Sequence, residues 1–175
     1  MTLHLRRAGP EDFELVDGLL RGLSPESAYR RFQAGIGPAP SRALVRALLP
    51  AEGALLGFVD GEVVAHGLWA RSGRAAEIAI VVADAHQGRG IGTAMAAALV
   101  DAVAARGITR VEAFSGAGNA AVARMVARQA PNALRVLDGP TVTYTFSSRT
   151  ARSRSAYSRW SHSSFRIVPR TRRTG

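Results

Sequence analysis

The chain has 175 residues, 47% of them apolar, enough for one domain with a real core and too few for two ordinary ones. It has no cysteine, which excludes disulfides, a thiolate nucleophile and Cys-type zinc sites; its four histidines are scattered, so no metal is expected. The formal charge of +10 is uneven: residues 1–147 hold 15 Arg against 13 acids, the last 28 residues hold 8 Arg and no acid, and Lys is absent.

In chain order, "LHLRRA" (3–8) predicts an opening strand. "GPEDFELVDGLLRGL" follows, with Pro10 at a first helical position and acids in the first turn, a good helix start. "LSPESAYRRF" repeats the device, with Ser24 as cap and Pro25 at the first position, and "SRALVRALL" is a third helix capped by Ser41. Two strand-like runs about Asp60-Gly61 (54–71) read as a hairpin, and "RAAEIAIVVA" (74–83) as a further strand. Ile91, Met95, Ala98, Leu99 and Ala102 recur at helical spacing over 91–106. A short strand (110–115), a helix (119–129) and a hairpin about Asp138-Gly139 (132–146) complete the pattern. The order β-α-α-α-β-β-β-α-β-α-β-β predicts an α/β domain with a mixed sheet.

The informative stretch is "EIAIVVADAHQGRGIGTAMAAALV", residues 77–100: an apolar strand, alternating glycines and a helix. Glycines between a strand and a helix suit a phosphate held on backbone N–H groups, because a bound anion can approach the chain and the helix dipole favours it. A triphosphate P-loop requires a Lys, and this chain has none. A dinucleotide fingerprint requires a third glycine at 93 or 95, which are Thr93 and Met95. What remains is Gln87-x-x-Gly90-x-Gly92, with Gln87 and Arg89 as additional donors.

"VVADAHQGRGIG" resembles the acetyl-CoA-binding motif of the GNAT acyltransferase superfamily, Q/R-x-x-G-x-G/A. The order of elements over residues 3–146 is similar to that family's as well. "LSPESAYRRF" with "AEIAIVVADAHQGRGIG" looks closer still to the GNAT domains of bacterial protein-lysine acetyltransferases. The resemblance implies a mixed, mostly antiparallel sheet of six to seven strands flanked by helices, spanning residues 1–147. It implies that Gln87, Gly88, Arg89, Gly90, Ile91, Gly92 and Thr93 bind the pyrophosphate of coenzyme A. It further implies that an amide near Val82 polarises the thioester carbonyl and that Asn119, opening the next helix, helps hold the cofactor. An N-cap role for Asn119 is compatible with this.

Acyl transfer to an amine needs a base, since a free lysine, with pKa ~10.4, is charged at neutral pH. Glu77 is the only acid in "AAEIAIVVA" and by strand alternation shares a face with Ala79 and Val81. By resemblance it is the general base. Many relatives place a Tyr seven residues beyond the Asn as general acid; here that position is Val126, so no side-chain acid is assigned. Asp84 and His86 are alternative proton carriers, or solvated loop residues. The expected activity is acetyl transfer from acetyl-CoA to a primary amine, preferably a protein lysine. The alternatives are a small-molecule amine acetyltransferase and a non-catalytic acyl-CoA-binding module.

The Arg/Ser-rich tail (148–175), with Tyr157, Trp160 and Phe165 interleaved, is expected to be disordered; contact with nucleic acid is its functional alternative. No apolar run reaches the ~18 residues of a membrane span. The N-terminal stretch lacks a signal-peptide apolar region. A cytoplasmic protein with no membrane partner is expected.

Overall fold

A computed structural model describes residues 2–37, 39–149 and 165–167. Its strands are β1 (Leu3–Arg7), β2 (Ala54–Val59), β3 (Glu62–Ser72), β4 (Ala75–Val82), β5 (Arg110–Gly116), β6 (Leu134–Asp138), β7 (Thr141–Ser147) and β8 (Phe165–Ile167). The helices are α1 (Phe13–Arg21), α2 (Pro25–Phe32), α3 (Arg42–Ala47), α4 (Ile91–Ala105) and α5 (Ala120–Gln129). One sheet runs β6-β7-β5-β4-β3-β2-β1-β8. Its pairs are antiparallel except β4–β5 and β1–β8. The seven strands within residues 3–147 are those expected, and β8 adds a short parallel pairing on the far side of β1.

Local chemistry explains the element ends. Ser24 and Ser41 accept hydrogen bonds from Ser27 N–H and Leu44 N–H, capping α2 and α3 as their positions predict. Asp60 and Gly61 both take positive φ, 50° and 88°, the primed turn that suits a hairpin between twisted strands.

Helices cover both faces. On one, α4 sets Ile91, Met95, Leu99 and Val103 against Ala65, Ile78 and Val111. Gly67 lets it settle: a Cβ there would stand 2.7 Å from Met95 Sδ and 3.0 Å from Leu99 Cδ1. On the other face, Val16 and Leu20 of α1 and Val45 of α3 pack on Ala54 and Leu56. Val126 and Ala130 close a third cluster with Val142 and Tyr144. Each Val, Leu, Ile or Met side chain among these contributes about 1.5–3 kcal/mol on removal from water.

Ser148, assigned by sequence to the tail, is fully buried; its N–H donates to Thr109 O and its hydroxyl to Ile108 O, both at 2.8 Å. The folded unit therefore runs past residue 147. The disorder and nucleic-acid expectations for the tail otherwise fall on residues outside those described, β8 and Arg149 apart.

Candidate active site

The site begins with a ladder that stops short. β4 and β5 pair in parallel from Ala75↔Arg110 to Ile78↔Ala113, yet β4 continues to Val82 and β5 to Gly116. Past Ile78 the strands are no longer paired with each other. On the other side β4 stays paired with β3 up to Ala65↔Val82, and Ala83 N–H donates to Val64 O at 2.8 Å. Because residues alternate in which neighbour they address, Ile80 and Val82 turn their backbone groups toward the gap.

At the open end of the gap stands the N-terminus of α4. Gly88 and Gly90 take φ of +73° and +83°, a backbone conformation that other residues adopt only with strain. Gly90 is the N-cap and has no side chain to cap with, so the first-turn N–H groups of Ile91, Gly92 and Thr93 receive no side-chain acceptor. That arrangement, with the helix dipole behind it, has the chemistry to accept an anion.

Gln87 is used differently from expectation. Its side-chain nitrogen donates to Ser27 Oγ at 2.9 Å and to Val82 O at 3.1 Å, and its backbone N–H to Asp84 O at 3.2 Å. All its N–H hydrogens are engaged inside the protein, so Gln87 has none left to offer a ligand. Asp84 and His86 likewise read differently in three dimensions. Asp84 accepts from Ser24 N–H (2.9 Å), Ser24 Oγ–H (2.8 Å) and Ser27 Oγ–H (2.7 Å), tying the start of α2 to the end of β4. Partial burial pushes its pKa up, but these bonds outweigh it and hold the carboxyl below its ordinary value. Such a group is an anchor rather than a proton carrier. His86 is half-buried with Nδ1 unpartnered.

Asn119 caps α5, its Oδ1 accepting from Val122 N–H at 3.2 Å. Gln129, near the end of the same helix, donates to Thr93 O at 2.9 Å and holds α5 against the first turn of α4. Val126 lies in the α5 core cluster and offers no titratable group.

Glu77 lies one residue before the β4–β5 ladder ends, exposed and directly beside Glu112 of β5. Two carboxylates opposite each other repel; Arg110 offsets the second by bonding Glu112 at 2.7 Å. Glu77 shares its face with Ala79 and Val81, as alternation predicts, and Val81 is the cross-strand neighbour of His66. His66 is fully buried, with Nε2 2.9 Å from Leu48 O. Burial pushes its pKa down to about 4, against the bond to Leu48, and the Arg31 charge lowers it further. The ring is neutral at pH 7, and with Nε2 donating to Leu48, Nδ1 is a bare acceptor.

Over this face lies α2. Its Ser27 meets Gln87 at the end of β4, while Gln33, just past its C-terminus, comes within 3.9 Å of the Cβ position at Gly116, the end of β5. The helix therefore crosses the mouth of the gap. Sequence reasoning missed Glu112, the Ser24–Ser27–Asp84 bonds and Arg31. The first two depend on partners 35 and about 60 residues away and have no local signal.

Among the described residues, no group of three or more His, Cys, Asp or Glu is arranged to hold a metal, and no helix is long and apolar enough to cross a membrane.

Comparison with known proteins agrees with this architecture. Residues 13–130 match the profile of the acetyltransferase (GNAT) family. No curated protein matches the sequence. Among solved structures, the GNAT domain of S. lividans PAT superposes with a TM-score of 0.74 at 24% identity, covering 82% of this chain and 89% of that one. The ribosomal-protein-S18-alanine N-acetyltransferase from Escherichia coli gives 0.64 at 13% identity, covering 83% and 93%. The PaiA N-acetyltransferase from Thermoplasma acidophilum, solved with coenzyme A, gives 0.65 at 14% identity, covering 84% and 99%. At these identities the structures establish the shared fold, and the profile establishes the family. The chain belongs to the GNAT family of N-acetyltransferases.

Proposed function

We propose that this protein moves an acetyl group from acetyl-CoA to a primary amine, preferably a protein lysine, with Glu77 as general base. The observation that carries the reading is the alignment of three features along one line. The uncapped α4 N-terminus stands at the open end of the β4–β5 gap, Val82 turns its backbone into the gap, and Glu77 lies at its closed end.

In this reading residues 88–93 hold the pyrophosphate, and Val82 N–H is a preorganised donor to the thioester oxygen as negative charge grows there. Asn119 stands at the start of α5 as a further cofactor contact. Glu77 accepts the proton that the amine loses as its nitrogen bonds to the carbonyl carbon. The carbon–sulfur bond breaks, the electron pair leaves with sulfur, and solvent protonates the thiolate, since Val126 supplies no acid. The preference for lysine rests on the likeness of "LSPESAYRRF" and "AEIAIVVADAHQGRGIG" to bacterial protein-lysine acetyltransferases.

The test is thioester cleavage by wild type and Glu77→Gln, with acetyl-CoA binding measured separately. The variant is expected to lose about 10²- to 10⁴-fold in turnover while binding acetyl-CoA normally. Equal turnover in the two proteins removes Glu77 from the mechanism.

A further inference from the structure

One cation on the acceptor side has no bonded counter-charge. Arg31 lies one turn after Ser27 on α2, on the helix side that meets β4. Its Nε is buried without a hydrogen-bond partner, and among the described residues no carboxylate pairs with its guanidinium. Phe32, its ring 4.8 Å away, covers one face of the guanidinium and provides no acceptor. Of the guanidinium nitrogens, Nε is the one sealed without a partner.

Burial lowers the Arg31 pKa to about 10, with the Glu77 charge acting the other way, so the side chain remains a cation at pH 7. A desolvated cation without an acceptor is costly in free energy. Glu77 is near enough for its field to be felt and does not bond to it. A carboxylate on β4 and a guanidinium on α2 thus lie within reach of each other's field, with no ion pair between them among the described residues.

We propose that Arg31 is the receptor for an anionic group on the acceptor: the substrate carries a carboxylate close to its reacting amine, held by the Arg31 fork while Glu77 faces the amine. The assignment rests on Glu77 being the base. A guanidinium fork matches a carboxylate in shape as well as charge. A plain polyamine is disfavoured, because it would bring a second cation against Arg31. The carboxylate belongs either to a free amino acid or to an acidic residue beside a protein lysine, and the two sources are separable.

The experiment measures steady-state kinetics with two matched pairs of acceptors at saturating acetyl-CoA. L-lysine and 1,5-diaminopentane differ only in the α-carboxylate; capped Glu-Lys and Gln-Lys dipeptides differ only in the neighbouring charge. Wild type is expected to favour the carboxylate member of one pair by about tenfold or more in kcat/KM, mainly through KM. That pair identifies the source. Arg31→Gln is expected to abolish the preference with the KM for acetyl-CoA unchanged, and Arg31→Lys to restore part of it. Turnover with no preference in either pair, or a preference that survives in Arg31→Gln, overturns the proposal. A second readout needs no turnover: titration with N-acetylglycine, a carboxylate without an amine, followed at the Arg31 Nε–H resonance. A saturable shift supports the receptor even if no amine is acetylated, in which case only the reading of Glu77 fails. An unmoved resonance overturns the receptor.

Discussion

Lowering the pH should destabilise this fold through His66 in a way that can be isolated. The ring is fully buried, and its pKa falls from 6.5 when exposed to about 4 in the folded chain, with burial as the main cause. Between those values the unfolded chain holds one more proton than the folded one, so stability rises with pH across that window. The contribution is fully present above about pH 6.5 and is lost as the pH falls toward 4, at about 1.4 kcal/mol per unit. Over the whole window this amounts to about 3 kcal/mol, a large part of the stability of a small domain. His66→Gln keeps a donor for Leu48 O and removes the titration. Urea unfolding of both proteins from about pH 7 to about pH 4.5 should give free energies whose difference changes by about one proton's slope. Parallel pH profiles would refute the reasoning, because they would mean that His66 titrates alike in both states.

Two further outcomes concern the cofactor end of the gap. Gly90→Ala forces a Cβ onto a residue with φ of +83°, although no atom lies within 4 Å of the added carbon. It should cost about 1 kcal/mol by thermal unfolding. It should also raise the KM for acetyl-CoA by about tenfold with little change in kcat, and an unchanged KM would place the phosphate elsewhere. Asp84→Ala removes three hydrogen bonds that join α2 to the end of β4. A loss of about 1–2 kcal/mol and a raised KM for the amine are expected. Because the folded Asp84 pKa is lowered, the wild-type advantage is present above the ordinary carboxylate range and disappears as the pH falls through the folded value. An advantage that persists in acid would show that the bonds do not depend on the ionised carboxylate.

Local features were open to sequence reading because their causes are local. Ser24 and Ser41 cap helices whose first turns adjoin them in the chain, and Asp60-Gly61 needs only its own dihedral angles to make a hairpin. The glycine loop belongs with these: the positive φ at Gly88 and Gly90 and the side-chain-free cap of α4 follow from residue type at consecutive positions. Glu77's face was legible for the same reason, since alternation along one strand fixes which neighbours it joins.

What only the tertiary structure decided are the relations between distant segments. That β4 and β5 part after Ile78↔Ala113 depends on how two strands separated by a helix are seated, and nothing within "AAEIAIVV" encodes where pairing ceases. Gln87 looked like a phosphate donor because its motif position suggested it; folding instead brings Ser27 and the Val82 carbonyl against it and uses its hydrogens. Asp84, an ordinary loop acid in sequence, becomes an anchor only when α2 arrives. Arg31 could pass for a solvated helix residue until the fold buried its Nε with no ion-paired acid among the described residues. Dihedral preference and alternation act along the chain and are written in it, whereas burial, pairing and charge compensation depend on which segments meet.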